Sequence, residues 1–414
     1  MKYLVIGSGG REHCIAWRLI SDGSADEVFV APGNGGIERR YRADIQPNDF
    51  KKIEAFSREK GIDMVIVGPE APLVGGLVDH LETAGIKAFG PSGKAAMLEG
   101  SKLFAKSIMK KYGVPTAGHW DFTGRTKVLE FIENISSYPI VIKLDGLAAG
   151  KGVAVPSDKD EAVEFIRANV KDDSRVFIEE YLEGEEVSVL GISDGETVIP
   201  LIAAQDHKRI FDGDAGPNTG GMGAYSPAPV LTKELMERIT GEVLSPTING
   251  MKKEGALFRG ILYAGLMIRN GSINVLEFNA RFGDPETQVI LPLLEGKLGD
   301  LFHASVDGSL SKTDISFKNS HAITVVMASR GYPGNYEKEK EITGLDKVAG
   351  DITVFHAGTE SRDGKIITSG GRVLNVSAVG ESLKSARDRV YSEIEKIKFD
   401  GAYFRKDIGH RALK

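Results

Sequence analysis

Three polar side chains on alternate positions, Glu277, Asn279 and Arg281, close an apolar run in "LEFNARFGDPE", residues 276–286. Positions two apart on a strand share a face, so the carboxylate, amide and guanidinium converge on one side. If buried, such groups need partners. The oxygen donors suit a hard metal ion, and the guanidinium suits a phosphate or carboxylate. A solvated rim at a sheet edge would show the same pattern, and this stretch alone supports both readings. The preceding "ILYAGLMIRNGSINV" supplies two strands joined by Asn270-Gly271, the dipeptide that favours a type I′ hairpin turn.

A second constellation lies in "PIVIKLDGLAAGKGVAVPS", residues 139–157, where two apolar runs flank a glycine loop. Against the pattern G-x-x-x-x-G-K-[ST], the spacing from Gly146 to Gly150 is one short and Gly152 stands in place of the hydroxyl residue. The segment that follows reads as a strand, not a helix. A glycine loop between two strands suits a flexible lid over phosphates, with backbone amides near Gly150 and the ammonium of Lys151 as donors. A mobile surface hairpin is the alternative, but it leaves Lys143 unexplained inside "VIKL", where a buried cation needs an anionic partner. Beyond it, "EEYLEGEE" (179–186) is either a solvated acidic turn or a connector able to hold a base by its backbone and a ribose by an acid.

These groups need elements to hold them. "KYLVI", "EVFVA", "DMVIV" and "IKAF" alternate with helix-length stretches over the first ninety or so residues, which implies a parallel sheet covered on both faces. The first unit ends in "GSGGREH", where Gly9 and Gly10 either bring backbone amides to a substrate phosphate or simply make a tight strand-to-helix turn. It is not a dinucleotide fingerprint, since Glu12 stands where the third glycine would fall and the second strand ends in Ala31-Pro32 without an acid for a ribose. Glu70, in the "GPEAPLVGG" loop at the carboxyl edge of the third strand, becomes a candidate substrate contact. "SKLFAKSIMKKYG" reads as a helix stopped by Gly113-Val114-Pro115, and "AITVVMAS", "ITVFHAGT" and "GRVLNVSAVG" with a final helix over 380–396 read as a small β-rich cap. Within that cap, "TSGGRVL" offers Arg372 either to a phosphate or to a plain hairpin turn.

Composition sets the outer limits. At 414 residues the chain exceeds what one core usually organises, and 41% hydrophobic with 27% charged residues describes an ordinary globular protein. A net charge of -6 provides no general field for nucleic acid or an anionic membrane. The single Cys14 excludes an internal disulfide and fits a reducing compartment. No apolar run approaches the roughly 18 residues a membrane helix needs, and no signal-peptide core is visible. The expected setting is cytoplasmic.

Taken in order, a helix lysine, a strand lysine before a glycine loop, an acidic connector and a strand ending "EFNAR" resemble the ATP-grasp superfamily. The segments "SKLFAK", "VIKLDGLAAGKGV", "IEEYLEGEEVSVL", "DHKRIFDGDAGPNTGGMGAYSP" and "EFNARFGDPETQ" further resemble the glycinamide ribonucleotide synthetase (phosphoribosylamine–glycine ligase) family within it. The likeness runs from Met1 to nearly the end of the chain, and the glycine-rich stretch 206–227 is its most specific part. One departure is the absence of a carboxylate in "YAGLMI", where many ATP-grasp members carry a second metal ligand.

The resemblance implies an α/β and α+β multidomain protein: a Rossmann-like substrate domain over 1–100, an ATP-grasp domain over 101–315 with a small lid subdomain at about 118–186, and a β-rich cap over 316–414. It implies ATP-dependent joining of glycine to 5-phosphoribosylamine through glycyl phosphate, with Mg²⁺, or alternatively Mn²⁺, held by Glu277 and Asn279. Lys102, Lys143, Lys151 and Gly150 would meet the ATP phosphates; the hinge from Glu179 would read adenine by the backbone near Glu180 and Leu182, and Glu186 would hold the ribose. Arg281, Lys143 and Asp214 carry the expected catalytic roles. Gly9, Gly10, Glu70, Asp206, Lys208, Asp214, Asn218 and Arg281 form the expected substrate contacts. Partners would be small molecules, with no nucleic acid or membrane, in a monomer or weak homo-oligomer. Three rivals are a nicotinamide-dependent oxidoreductase using "GSGGREH", a non-catalytic nucleotide sensor, and a carboxylating or formate-using relative. Cys14, on an apolar helix face, reads as packing.

Overall fold

A computed structural model describes residues 1–145 and 152–413 of the chain. The expected phosphate lid, including Gly150 and Lys151, therefore lies outside the described residues. Strands Lys2–Gly7, Glu27–Pro32, Met64–Val67 and Ala88–Phe89 form a parallel sheet in which the first strand lies between the second and third. Their runs are apolar on both faces because helices cover both, and Leu4, Val5, Ile6, Val65 and Ile66 are buried.

The next sheet is antiparallel and small, in the order His119–Thr123, Arg175–Glu180, Ile140–Leu144, Val153–Ala154. Helices Arg125–Glu133 and Lys159–Asn169 cover one face, and Val128, Ile132, Ile142, Ala162, Ile166 and Ile178 make a core separate from the rest of the molecule. This unit can thus stand over a larger one without sharing its interior.

That larger unit is built on Val198–Pro200, Glu185–Asp194, Arg259–Arg269 and Ser272–Asn279, all antiparallel. Asn270 and Gly271 connect the last two strands with φ of 50° and 77°, the left-handed pair a type I′ turn requires. Opposite Gly265 and Leu266 the register slips by one residue, so Leu276 has no ladder partner and the strand bulges there.

The third large sheet crosses the boundary expected from sequence at 315/316. Its order is Gln205–Asp206, Gly223–Ser226, His321–Ala328, Arg372–Gly380, Thr353–His356. Two strands of the glycine-rich segment are therefore the edge of the cap's own sheet. Helix Leu383–Ile394 packs on it through Leu383, Ala386, Val390 and Ile394. Among the described residues, no helix is long and apolar enough to cross a membrane.

Candidate active site

A cavity of about 440 Å³ opens where the four sheets meet. The strand Ser272–Asn279 and the turn after it form its floor. Past the bulge, Phe278, Ala280 and Phe282 point into the core while Glu277, Asn279 and Arg281 face the cavity, the alternation read from the sequence.

Lysines line one wall. Lys102 opens helix Lys102–Tyr112, which Ser101 caps by accepting from the Phe104 amide, and Lys106 follows one turn later on the same face. The Lys102 amide donates to Asp145 Oδ1 at 2.8 Å, joining the helix to the end of the small subdomain's strand. Lys143 reaches in from Ile140–Leu144; its Nζ donates to Glu179 Oε2 and to the Leu276 carbonyl, both at 3.0 Å. Lys106 Nζ lies 3.3 Å from the same Glu179 oxygen and donates to Thr116 Oγ1 at 2.8 Å. The anionic partner demanded by a buried Lys143 is thus Glu179. One buried carboxylate between two ammonium groups leaves a surplus positive charge on the wall, which an anion entering the cavity can neutralise. Burial lowers Lys102 and Lys106 from the ordinary lysine range, against the pull of Glu277 and Glu179 respectively.

Glu277 feels four cations. Burial works to raise its carboxyl, but Lys208, Lys143, Lys102 and Arg281 together hold it below the usual range. It therefore stays ionised at the cavity surface, with Lys208 Nζ at 3.9 Å. Lys208 also pairs closely with Glu186. Arg281 is fixed by Glu99, whose Oε1 lies 2.8 Å from Nη2, and by Glu70 at 3.5 Å from Nε. Glu99 in turn accepts from the Ala280 amide at 2.8 Å.

Asp206 lines the cavity near Glu286, which accepts from Ser188 Oγ at 3.0 Å and Tyr263 Oη at 2.9 Å. Burial, with Glu286 and Glu186 adding to it against Lys208, pushes the Asp206 carboxyl up to about 8. Arg11 and Arg372 close the far end around Asp284; Arg372 Nη2 lies 3.2 Å from Asp284 Oδ2, and its Nη1 donates to the Asp284 carbonyl at 2.7 Å.

The cavity brings together Glu70, Lys102, Lys143, Glu179, Asp206, Lys208, Glu277, Asn279 and Arg281, with Glu186 beside them through Lys208. Other expected site residues lie elsewhere. The Gly9 amide donates to Glu12 Oε2 at 2.7 Å, so the helix that was to receive a phosphate carries its own carboxylate. Gly10 is packed shut, since a Cβ there would come within 2.3 Å of Asn375 Nδ2 and 2.6 Å of Gln288 Nε2. Glu180 turns outward and accepts from the Gly118 amide at 3.2 Å. Leu182 lines a second cavity of about 570 Å³ with Tyr138, Pro139 and Met267. Asn218 is exposed on a hairpin. Asp214 does not reach the main cavity: Arg405 Nη1 binds its Oδ1 at 3.0 Å and Arg411 Nη2 its Oδ2 at 2.8 Å. Both oxygens are committed to guanidinium groups.

Sequence reasoning missed Lys106, Glu99, Glu286, Arg11 and Tyr263. Lys106 was visible as the residue four after Lys102, and Glu286 closes the same "GDPE" turn as the metal-type strand; Glu99 and Tyr263 gave no local signal. Cys14 is fully buried, as its apolar helix face implied.

Three family models cover the chain almost end to end: the N domain of phosphoribosylglycinamide synthetase matches residues 1–99, its ATP-grasp (A) domain residues 100–287, and its C domain residues 322–411. A phosphoribosylamine–glycine ligase of Halalkalibacterium halodurans is 46% identical over 420 residues, covering 100% of this chain and 97% of that protein. The trifunctional purine biosynthetic protein adenosine-3 of Gallus gallus is 48% identical over 423 residues, but the chain spans only 42% of that longer protein. The crystal structure of a phosphoribosylamine–glycine ligase from Thermotoga maritima superposes with a TM-score of 0.83 at 35% identity, covering 99% of this chain and 100% of that one. The fold alone is shared more widely: a biotin carboxylase domain of Hydrogenobacter thermophilus 2-oxoglutarate carboxylase, solved with MgADP and bicarbonate, reaches a TM-score of 0.72 at 19% identity, over 97% of this chain and 91% of that one. By its three consecutive domains and its full-length relatives, the chain belongs to the phosphoribosylglycinamide synthetase family.

Proposed function

We propose that the chain is an ATP-dependent ligase that joins glycine to 5-phosphoribosylamine through glycyl phosphate, releasing ADP and phosphate and giving glycinamide ribonucleotide for purine biosynthesis. The observation that carries this reading is the convergence on one cavity of a phosphate-suited lysine wall, Lys102, Lys106 and Lys143, with the alternating Glu277, Asn279 and Arg281. We read the chain as three units, 1–100, 101–315 and 316–414, with 118–186 as the subdomain above the nucleotide.

Two anions must meet in the first step, glycine's carboxylate and the terminal phosphoryl group of ATP, so alignment and charge neutralisation are the main tasks. Lys102 and Lys143 hold the ATP phosphates, Lys143 from a position already fixed by Glu179 and Leu276. Glu186 takes the ribose. Glu277 and Asn279 set a carboxylate and an amide oxygen side by side on the cavity wall, a donor pair that fits a hard divalent ion, and Mg²⁺ or Mn²⁺ would be held there. When bound, the metal neutralises charge on the phosphate oxygens. Arg281, braced by Glu99 and Glu70, meets the transferring group as the oxygen of glycine forms its bond to phosphorus and the bond to ADP breaks.

In the second step the amine of phosphoribosylamine forms a carbon–nitrogen bond to the acyl carbon and gives up a proton, while the acyl carbon–oxygen bond breaks and phosphate leaves with its electron pair, able to take up that proton. Asp206, which lines the cavity, pairs with glycine's ammonium in this reading, and Arg11 and Arg372 offer planar donors to the sugar phosphate. No protein nucleophile is required.

A coupled ADP-release assay with glycine and freshly formed phosphoribosylamine tests the reading. ADP release that requires both substrates is the expected result. Release driven instead by bicarbonate or formate, or ATP binding without any release, would replace it.

A further inference from the structure

Asp206 and Lys208 reach the cavity from a segment whose regular strand is short. Gln205–Asp206 is two residues long and pairs with Ala224 and Tyr225; beside it Ala204 bridges to Ser188, and His207 exchanges backbone bonds with Gly223 and Met222. His207, between the two cavity residues, points the opposite way, and its ring is fully buried. Behind that strand lies a cluster no step of the proposed reaction uses. His207 Nε2 accepts from the Gly409 amide at 3.0 Å, so in the neutral ring the proton sits on Nδ1, which faces Asp214 Oδ1 at 3.6 Å. Arg411 donates from Nη1 to the Asp206 carbonyl at 3.3 Å and from Nη2 to Asp214 Oδ2 at 2.8 Å. Arg405, wholly buried, donates from Nη1 to the Arg209 carbonyl at 2.9 Å and to Asp214 Oδ1 at 3.0 Å, while its Nε and Nη2 grip Asp407 at 2.7 and 2.8 Å. Asp407 returns to the loop by accepting from the Gly213 amide at 2.8 Å.

The nearness of His207, Asp214 and His410 invites a metal reading. The contacts exclude it: one His207 nitrogen is already an acceptor, and two guanidinium groups stand on Asp214 where a cation would have to sit. What the cluster provides is a rigid, multiply bonded brace. Each guanidinium ties a backbone carbonyl of residues 206–209 to Asp214 at the tip of the following loop, and Asp214 is held there with a φ of 55°, a conformation that needs such support.

We propose that segment 405–411 is a clamp that sets the strand carrying Asp206 and Lys208 against the cavity, with Arg411 and Arg405 as positioning residues for the glycine end of the reaction. This rests on the reading of Asp206 as the partner of glycine's ammonium. The lysines that hold the ATP phosphates, Lys102 and Lys143, stand on other elements, and the clamped segment meets the nucleotide end only through Lys208 and Gln205 at Glu186 and Glu277, so the larger effect falls on glycine. A misplacement of about 1 Å can cost up to about a hundredfold in rate, and Arg411 is one of several ties, so a smaller effect is expected from its loss.

Arg411→Met is expected to lower kcat/KM for glycine about tenfold, leave the Kd of a non-hydrolysable ATP analogue unchanged within about twofold, and be partly rescued by Arg411→Lys. Wild-type glycine kinetics in Arg411→Met would overturn the clamp. So would an equal loss of ATP affinity, which would mark a general structural role. If Arg411→Met does not fold, Asp214→Asn, which keeps the volume and removes the charge that both guanidinium groups share, carries the same expectations. Asp206→Asn measured alongside separates the two levels. If Asp206→Asn retains wild-type glycine kinetics, the assignment of Asp206 falls and the clamp's purpose with it; if it is impaired while Arg411→Met is not, the clamp alone falls.

Discussion

Lys143 Nζ donates to the carbonyl of Leu276 at 3.0 Å, and that carbonyl is available because the bulge opposite Gly265 and Leu266 takes Leu276 out of the ladder. The irregularity that aims Glu277 and Asn279 at the cavity thus also anchors a lysine from another subdomain. Lys143→Met should weaken binding of an ATP analogue about tenfold or more, since a charge-assisted contact is lost. Thermal stability should change little, because Lys106 continues to neutralise Glu179. Calorimetric titration decides it; an unchanged dissociation constant would return Lys143 to a purely structural part.

Glu277 and Asn279 face the cavity and not the core, so Glu277→Gln and Asn279→Ala should fold normally and lose turnover by about a hundredfold, the scale of damaged metal sites. Turnover measured across a Mg²⁺ titration is the check. Near-normal rates at limiting Mg²⁺ in either variant would remove the metal assignment.

The carboxyl of Asp206, pushed up to about 8 by burial and by Glu286 and Glu186 nearby, has a pH signature. Its unfolded value is about 3.9, so the folded state binds this proton more tightly. The stability it contributes is therefore complete below about pH 4 and declines as pH rises through about 8. Asp206→Asn, which has no proton to lose, should gain stability relative to the unsubstituted protein across that window. Denaturant unfolding of both proteins over the range tests it, and a difference independent of pH would contradict the assignment.

Arg281 is aimed by Glu99, which burial raises above the ordinary glutamate range against the pull of Arg281. Glu99→Gln keeps the shape and removes the charge, and should cost about 1–3 kcal/mol of stability through the weakened buried contact. Turnover should fall about tenfold as Arg281 loses its fixed orientation. Parallel urea unfolding and steady-state kinetics give both numbers; full activity would show that Glu70 alone suffices.

Features that depend on a few neighbouring residues were legible in the sequence. The alternation of Glu277, Asn279 and Arg281 follows from the period of a strand, and the turn at Asn270-Gly271 from the left-handed angles that pair tolerates. The need of Lys143 for an anion was also readable, but not which of the acids in "EEYLEGEE" would answer it, because strand pairing across the small sheet decides that. At Gly9 the local sequence holds the answer: Glu12, three residues on, is the carboxylate a helix start uses to satisfy itself. The surroundings of Asp214 are out of reach of the sequence for the opposite reason. Its loop looks like a ligand loop, and the two arginines that occupy it lie far along the chain, where no spacing rule reaches.

Gln205–Asp206 and Gly223–Ser226 depend on His321–Ala328 to complete their sheet, and that strand depends on Arg372–Gly380. On a ribosome, the chain must therefore wait about a hundred residues after Ser226 has emerged before the Asp206 end of the cavity can settle, although the wall of Lys102 and Lys143 can form from segments already made. During that interval Gly223–Ser226 presents a bare edge able to pair with the wrong strand. Synthesis halted before residue 321 would release a chain with a lysine wall but an unsettled Asp206, and exposed in a way that invites aggregation.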